Sequence, residues 1–251
     1  MAESTTRNEG HDMTTTAART PHRVRINLLG GFSVIADGEP CAVAEGSQRL
    51  LVYLALRERP QARTAMAASL WPDKTDGRAC ANLRSSLWRL PAPGGVPLVR
   101  AANANLQLSE HLDVDVKLAE GAGWALVRDP AGSVDDVDST LFFLELLPGW
   151  YDDWVVFERE RLAQLQFHFL EALADALVAH HHLAQALDIA LRLVRADPLR
   201  EGSQRALLGV YLAERNIGQA QRQLTAYRRL INNTFGCDPS PGLIAMATQS
   251  R

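Results

Sequence analysis

Cysteine is scarce: Cys41, Cys80 and Cys237 are an odd number, far apart, with no Cys-x-x-Cys pair. That excludes a disulfide framework and a zinc site, and suits reduced thiols in a cytoplasmic protein. Long apolar runs are missing too. No stretch approaches the roughly 18 consecutive apolar residues of a membrane span, so no membrane partner is expected. Residues 1–22 are polar and Thr-rich, lack the apolar core of a signal peptide and read as a disordered lead-in, with Met13 as an alternative start. No Gly-x-x-x-x-Gly-Lys-[Ser/Thr] phosphate loop occurs, and no Ser/His/Asp or Cys/His constellation is recognisable. Neither a cofactor, nor a metal, nor an enzymatic activity is therefore expected.

A large excess of one charge is also absent, since the formal net charge is −3. The sum hides a split. Residues 46–108 hold nine basic residues (Arg49, Arg57, Arg59, Arg63, Lys74, Arg78, Arg84, Arg89, Arg100) against Glu58, Asp73 and Asp76, a net +6. Residues 109–251 hold 13 basic and 20 acidic residues, a net −7. A basic module joined to an acidic one fits a nucleic-acid binder attached to something that must not bind nucleic acid.

Within the basic block, residues 76–90 predict an amphipathic helix. Ala79, Leu83, Leu87 and Leu90 share one stripe at core spacing, while Arg78, Asn82, Arg84, Ser85, Trp88 and Arg89 occupy the other side and its flanks. Those side chains pair with phosphates and base edges, and no acidic residue follows Asp76 within the helix. Taken alone, such a face is usually solvated surface, so its neighbours matter. Residues 25–29, 32–36 and 40–43 predict three short strands, with Gly30-Gly31 and Asp37-Gly38 as turns. A helix follows over 48–59, stopped by Pro60, and a short second helix over 65–70 with Thr64 as its N-cap. After the helix at 76–90, Pro91 to Gly95 break the chain, and residues 97–100 and 106–108 can pair as a hairpin across 101–105. Three strands, three helices and a hairpin make a winged helix-turn-helix domain whose third helix enters the major groove.

Leu28-Leu-Gly-Gly-Phe32, Ser47-Gln-Arg-Leu-Leu51, Leu70-Trp71 and Ala81-Asn-Leu-Arg-Ser-Ser-Leu-Trp-Arg-Leu90 resemble the DNA-binding half of the SARP transcriptional activators. The resemblance implies a recognition helix over about 79–90 and a wing over about 98–108. It departs from the family in two places. The wing turn, Ala101 to Asn105, has no glycine, although asparagine tolerates positive φ. Pro91 and Pro93 stand where further arginines often follow, leaving fewer phosphate contacts. Within the helix, Arg84 and Arg89 suit phosphate clamps, and Arg78, Asn82 and Ser85 suit base edges. Trp88 suits either the groove or packing against a neighbouring domain or subunit. Arg100, beside the wing turn, suits a phosphate or minor-groove contact.

From Glu158 onward the pattern is helical, with a 34-residue repeat. Ala179, Leu183, Ala184, Gln185 and Ala186 align with Ala213, Ile217, Gly218, Gln219 and Ala220, and Asp197-Pro198 closes one unit. That period, with small residues where helices cross, is the tetratricopeptide signature of a partner-binding surface. Leu147-Pro-Gly-Trp-Tyr-Asp-Asp-Trp154 and Cys237-Asp-Pro-Ser-Pro241 resemble the bacterial transcriptional activator domain that follows the winged helix in SARP proteins. The resemblance runs over about 24–245 and implies a short form without the ATPase domain of larger members. His180-His-His182 falls at a helix turn and reads as solvated, Trp150, Tyr151 and Trp154 as anchors of the first repeat helices, and residues 135–138 as a solvated acidic linker.

The expected fold is mainly α with a small β component. A disordered segment (1–22) precedes a winged helix-turn-helix domain (23–110) and an all-α tetratricopeptide-like activator domain (111–251). By resemblance, the protein activates a biosynthetic gene cluster, binds double-stranded DNA at promoter direct repeats as a head-to-tail homodimer, and engages RNA polymerase holoenzyme with its sigma factor. The alternative is a helical-repeat adaptor whose winged helix binds protein and not DNA.

Overall fold

The computed structural model describes residues 23–134 and 137–248; the lead-in expected over 1–22, and Asp135 and Asp136 of the expected linker, lie outside the described residues. The fold is the expected one, a winged helix-turn-helix with a small N-terminal sheet followed by a helical repeat domain. Among the described residues no helix is long and apolar enough to cross a membrane.

Strand β1 (Val24–Asn27) buries alternate residues, Val24 and Ile26, as period-two patterning requires. It pairs antiparallel with β2 (Ser33–Ala36), which turns at Asp37-Gly38 into β3 (Glu39–Pro40). Asp37 and Gly38 both have positive φ, 50° and 89°, the condition of a tight hairpin turn matched to strand twist. The third expected strand, 40–43, is displaced and shorter: β3 covers Glu39 and Pro40, and beyond it the Cys41 N–H still donates to the Val34 carbonyl of β2 at 2.8 Å.

Helix α1 (Glu45–Ala55) starts earlier than the predicted 48 and ends before 59. Pro60 is not its stop. The chain leaves the helix at Leu56, and Arg57, just beyond, turns to Glu158. Strand β4 (Gln61–Ala62) follows, then α2 (Arg63–Leu70) and α3 (Asp76–Trp88). Thr64 is not the N-cap of α2. The cap position is Ala62, because β4 pairs with the wing and the Arg63 N–H donates to the Ala104 carbonyl at 3.1 Å, fixing where the helix begins. The wing is β5 (Val99–Ala102) and β6 (Asn105–Leu108), joined by Asn103 and Ala104. Asn103 takes φ 55°, so asparagine does the work of the missing glycine.

Beyond the wing, β7 (Leu112–Val114) returns parallel to β1 and completes the sheet order β3-β2-β1-β7. The limit placed at 110 by sequence falls just before this strand. Helix α4 (Asp115–Arg128) follows it directly, and a 3₁₀ turn (Ser139–Phe143) leads toward α5 (Asp153–Ala179). Then come α6 (Leu183–Ala196), α7 (Glu201–Ala213), α8 (Ile217–Phe235) and α9 (Pro241–Thr248).

The 34-residue period is visible in the backbone itself. His181 and Arg215, one period apart, have φ 61° and 57°. Each following residue donates its N–H five residues back, His182 to Leu177 and Asn216 to Tyr211, both at 2.8 Å. Ala186 and Ala220 are fully buried where paired helices cross, which only a small side chain permits. His180, expected to be solvated, is exposed yet donates from Nε2 to the Gly132 carbonyl at 2.9 Å, tying the loop after α4 to the end of α5.

Candidate nucleic-acid interface

Helix α3 turns one face inward and one outward. Ala79 and Leu83 are buried against α1 and α2, with Leu87 and Leu90 half-buried beside them, as the stripe predicted. Ser86 is buried as well, which the apolar pattern did not indicate. Its carbonyl accepts from the Ser47 hydroxyl at 2.8 Å, so α1 holds the C-terminal half of α3 through a polar contact.

The outward face carries Arg78, Arg84, Ser85, Trp88 and Arg89, all exposed, with Asn82 half-buried at its edge. At about 100° per residue, Arg78, Asn82, Ser85 and the capping Arg89, three or four residues apart, form one stripe, and Arg84 and Trp88 flank it. Among the described residues none of Arg78, Arg84 and Arg89 makes an ion pair. Trp88 is 87% exposed, so among the described residues it has no packing partner that covers it. The Arg89 guanidinium lies near the start of α1, where a Cβ on Gly46 would stand 3.5 Å from its Nη2.

The remaining arginines of the basic block divide differently. Arg100 pairs with Glu110 at 2.7 Å, both side chains exposed, across the base of the wing and away from its tip. Such a pair holds little free energy and yields easily to a phosphate. Arg49 and Arg57 on α1 are committed inward. Arg49 pairs with Asp152, and Arg57 pairs with Glu158 at 2.8 Å while stacking over Tyr53 at 4.9 Å. Two of the nine basic residues thus hold the two halves together, and residue counting could not distinguish them from surface charge.

That junction is extensive. Trp150 lies against Phe32 and Trp154 meets Tyr53 edge-on at 5.3 Å, so these tryptophans anchor the repeat domain to the winged half. Tyr151 is not an anchor; it is 82% exposed. Leu29 bridges antiparallel to Leu146, the Gly30 N–H donates to the Glu145 carbonyl at 2.8 Å, and Leu147 N–H to Leu28 carbonyl at 2.9 Å. Arg159 gathers the segment by donating to the carbonyls of Leu146, Leu147 and Trp150. The carboxylate of Asp115, buried at the start of α4, accepts from the N–H groups of Leu28 and Leu29 at 2.9 Å and of Val116 at 2.7 Å. Burial pushes this carboxyl above the usual range, against the downward pull of those backbone donors. Sequence pattern gave no sign of it, because its partners lie 86 and 87 residues away.

The architecture is a winged helix-turn-helix that presents a cationic third helix and is backed by a helical repeat. Residues 129–249 match the bacterial transcriptional activator domain. The chain is 29% identical over 240 residues to the regulatory protein AfsR of Streptomyces coelicolor, covering 88% of this chain and 23% of AfsR. Its fold resembles Mycobacterium tuberculosis EmbR, solved in complex with a low-affinity phosphopeptide, with TM-score 0.75 and 21% identity over 91% of this chain and 65% of that one. The chain therefore spans about a quarter of AfsR and under two thirds of the EmbR chain. Its second half thus matches the bacterial transcriptional activator domain, and the chain as a whole is similar to a regulatory protein.

Proposed function

We propose that the protein is a sequence-specific DNA-binding activator that lays α3 in the major groove of promoter direct repeats and recruits RNA polymerase holoenzyme. The observation that carries this reading is the outward face of α3. Three arginines, with Asn82 and Ser85, stand on it without an acidic partner among the described residues, while Arg49 and Arg57 nearby are consumed inside the protein. Arg84 and Arg89 grip phosphates; Arg78, Asn82 and Ser85 face base edges; Arg100 reaches the backbone beside the wing once it releases Glu110. The acidic repeat domain stays off the DNA and offers its surface to polymerase, its sigma factor and a second protomer. The regulated genes are those of a biosynthetic cluster, as the family resemblance implies.

The test is binding to the repeats upstream of neighbouring operons across a salt series. Arg89→Ala is expected to weaken binding to all sequences and reduce the log–log salt slope by about 1, while Asn82→Ala or Ser85→Ala changes base preference at a cost of about 1–3 kcal/mol. A flat salt dependence, with no effect of these changes, would instead leave the winged helix as a protein-binding module.

A further inference from the structure

A cleft of about 660 Å³ opens between the two halves, within the range of small-molecule sites. Its walls come from three places: Leu56 and Glu58 at the end of α1, the outer side of α4, and Arg161 on α5. One wall is Trp124, 45% exposed and braced edge-on by the buried Phe169 at 5.3 Å.

Helix α4 contains two glycines, which in a helix interior cost about 0.5–1 kcal/mol each relative to alanine. Gly123 has a packing reason, since a Cβ there would stand 2.3 Å from the Phe169 ring. Gly121 has none: nothing lies within 4 Å of where its Cβ would be, and it lines the cleft. The missing side chain keeps the cleft open beside Trp124.

The charges along the cleft are unequally engaged. Arg161 is held from both sides, by Glu120 at 2.8 Å and Glu158 at 2.7 Å. Lys117, exposed, donates to the Arg57 carbonyl at 3.2 Å and is within electrostatic reach of Glu58 and Glu120. Glu58, by contrast, is exposed and makes no hydrogen bond or ion pair among the described residues, and Glu120 uses one oxygen only. Arg161 is fully engaged, and acceptor capacity is left over at Glu58 and Glu120 beside Trp124.

We infer that this cleft is a binding site for a small planar aromatic molecule bearing a basic nitrogen, stacked on Trp124 over Gly121 with its cation at Glu58 and Glu120. Aromatic stacking and an ammonium-to-carboxylate hydrogen bond are the two interactions the walls offer. The ligand would touch both halves of the protein. The far end of α1 holds α3 through Ser47, so the site sits on the element that supports the recognition helix. The inference does not depend on the DNA-binding reading.

Calorimetric titration of the full chain with tryptamine, indole and indole-3-acetate tests it. Tryptamine is expected to bind at least about tenfold more tightly than indole-3-acetate, with indole between them. Glu58→Gln is expected to bring tryptamine down to the level of indole. Gly121→Leu is expected to abolish binding of all three while melting no lower than the unaltered protein, since its side chain enters open space. Absence of tryptamine binding, equal binding of the acetate, or undiminished binding to a folded Gly121→Leu variant would overturn the assignment, whatever the DNA titrations show.

Discussion

Single residues of this protein carry unequal weight, and three of them set its tolerance to change. Asp115 satisfies two backbone donors of the β1 end from a distance. Asp115→Ala is expected to cost about 1–3 kcal/mol for each donor it orphans, read by urea denaturation at neutral pH. Its titration has a definite sign. Because the folded carboxyl is raised above its unfolded value, its contribution is complete below the unfolded pKa and is lost as pH rises through the folded one. The stability difference between the protein and Asp115→Asn should therefore narrow as pH rises out of the acid range, and a widening difference would contradict the burial argument. The two glycines of α4 make a second contrast. Gly123→Ala drives a methyl into the Phe169 ring and is expected to destabilise by about 1–3 kcal/mol, whereas Gly121→Ala is expected to stabilise by about 0.5–1 kcal/mol. Thermal melts of the two single variants decide it. None of this was legible from residue order. A buried aspartate, an inward arginine and a packed glycine read like their surface counterparts until the partner is known.

At the scale of elements, periodic signals were legible and imported ones were not. The inward stripe of α3, the wing hairpin and the 34-residue repeat each declare themselves within a short window, through spacing that local geometry imposes. Strands β4 and β7 are only two and three residues long, and what makes them strands is pairing supplied by β6 and β1. The same cause misplaced the start of α2, where strand pairing overruled a threonine cap. For the candidate interface, sequence located the presenting helix and its arginines but not which neighbouring arginines were already engaged. The repeat turns give a prediction at this scale. His181→Gly and Arg215→Gly relieve a left-handed backbone that costs an ordinary residue about 1–2 kcal/mol, and each is expected to raise the melting temperature. If both lower it, flexibility gained by the unfolded chain dominates those turns.

The whole molecule behaves as one body made of two modules. A continuous core runs from Val24 in the sheet through Leu83 in α3 and Phe169 in α5 to Val210 in α7, and a small separate cluster gathers around Leu208 and Tyr227 in the last repeat. Equilibrium unfolding should therefore show coincident transitions for probes in the winged half and in α5 to α7. Two separated transitions, or a fragment ending at 110 with dispersed amide resonances, would show that the junction is an accessory to folding. Charge reversal at Glu158, which faces Arg57 and Arg161 together, should lower that common transition and leave α8 and α9 the least affected in hydrogen exchange.

Strand β7 also matters for how the protein is made. Synthesis proceeds from the N-terminus at about 5–20 residues per second, and domains commonly fold as they emerge. Here β1 emerges early but lacks its second neighbour until Leu112–Val114 follows, and the N–H groups of Leu28 and Leu29 wait for Asp115. Helix α3 thus leaves the ribosome before the sheet of its own domain is complete. A nascent chain stalled short of that strand would hold its arginines ready but have no finished frame to aim them.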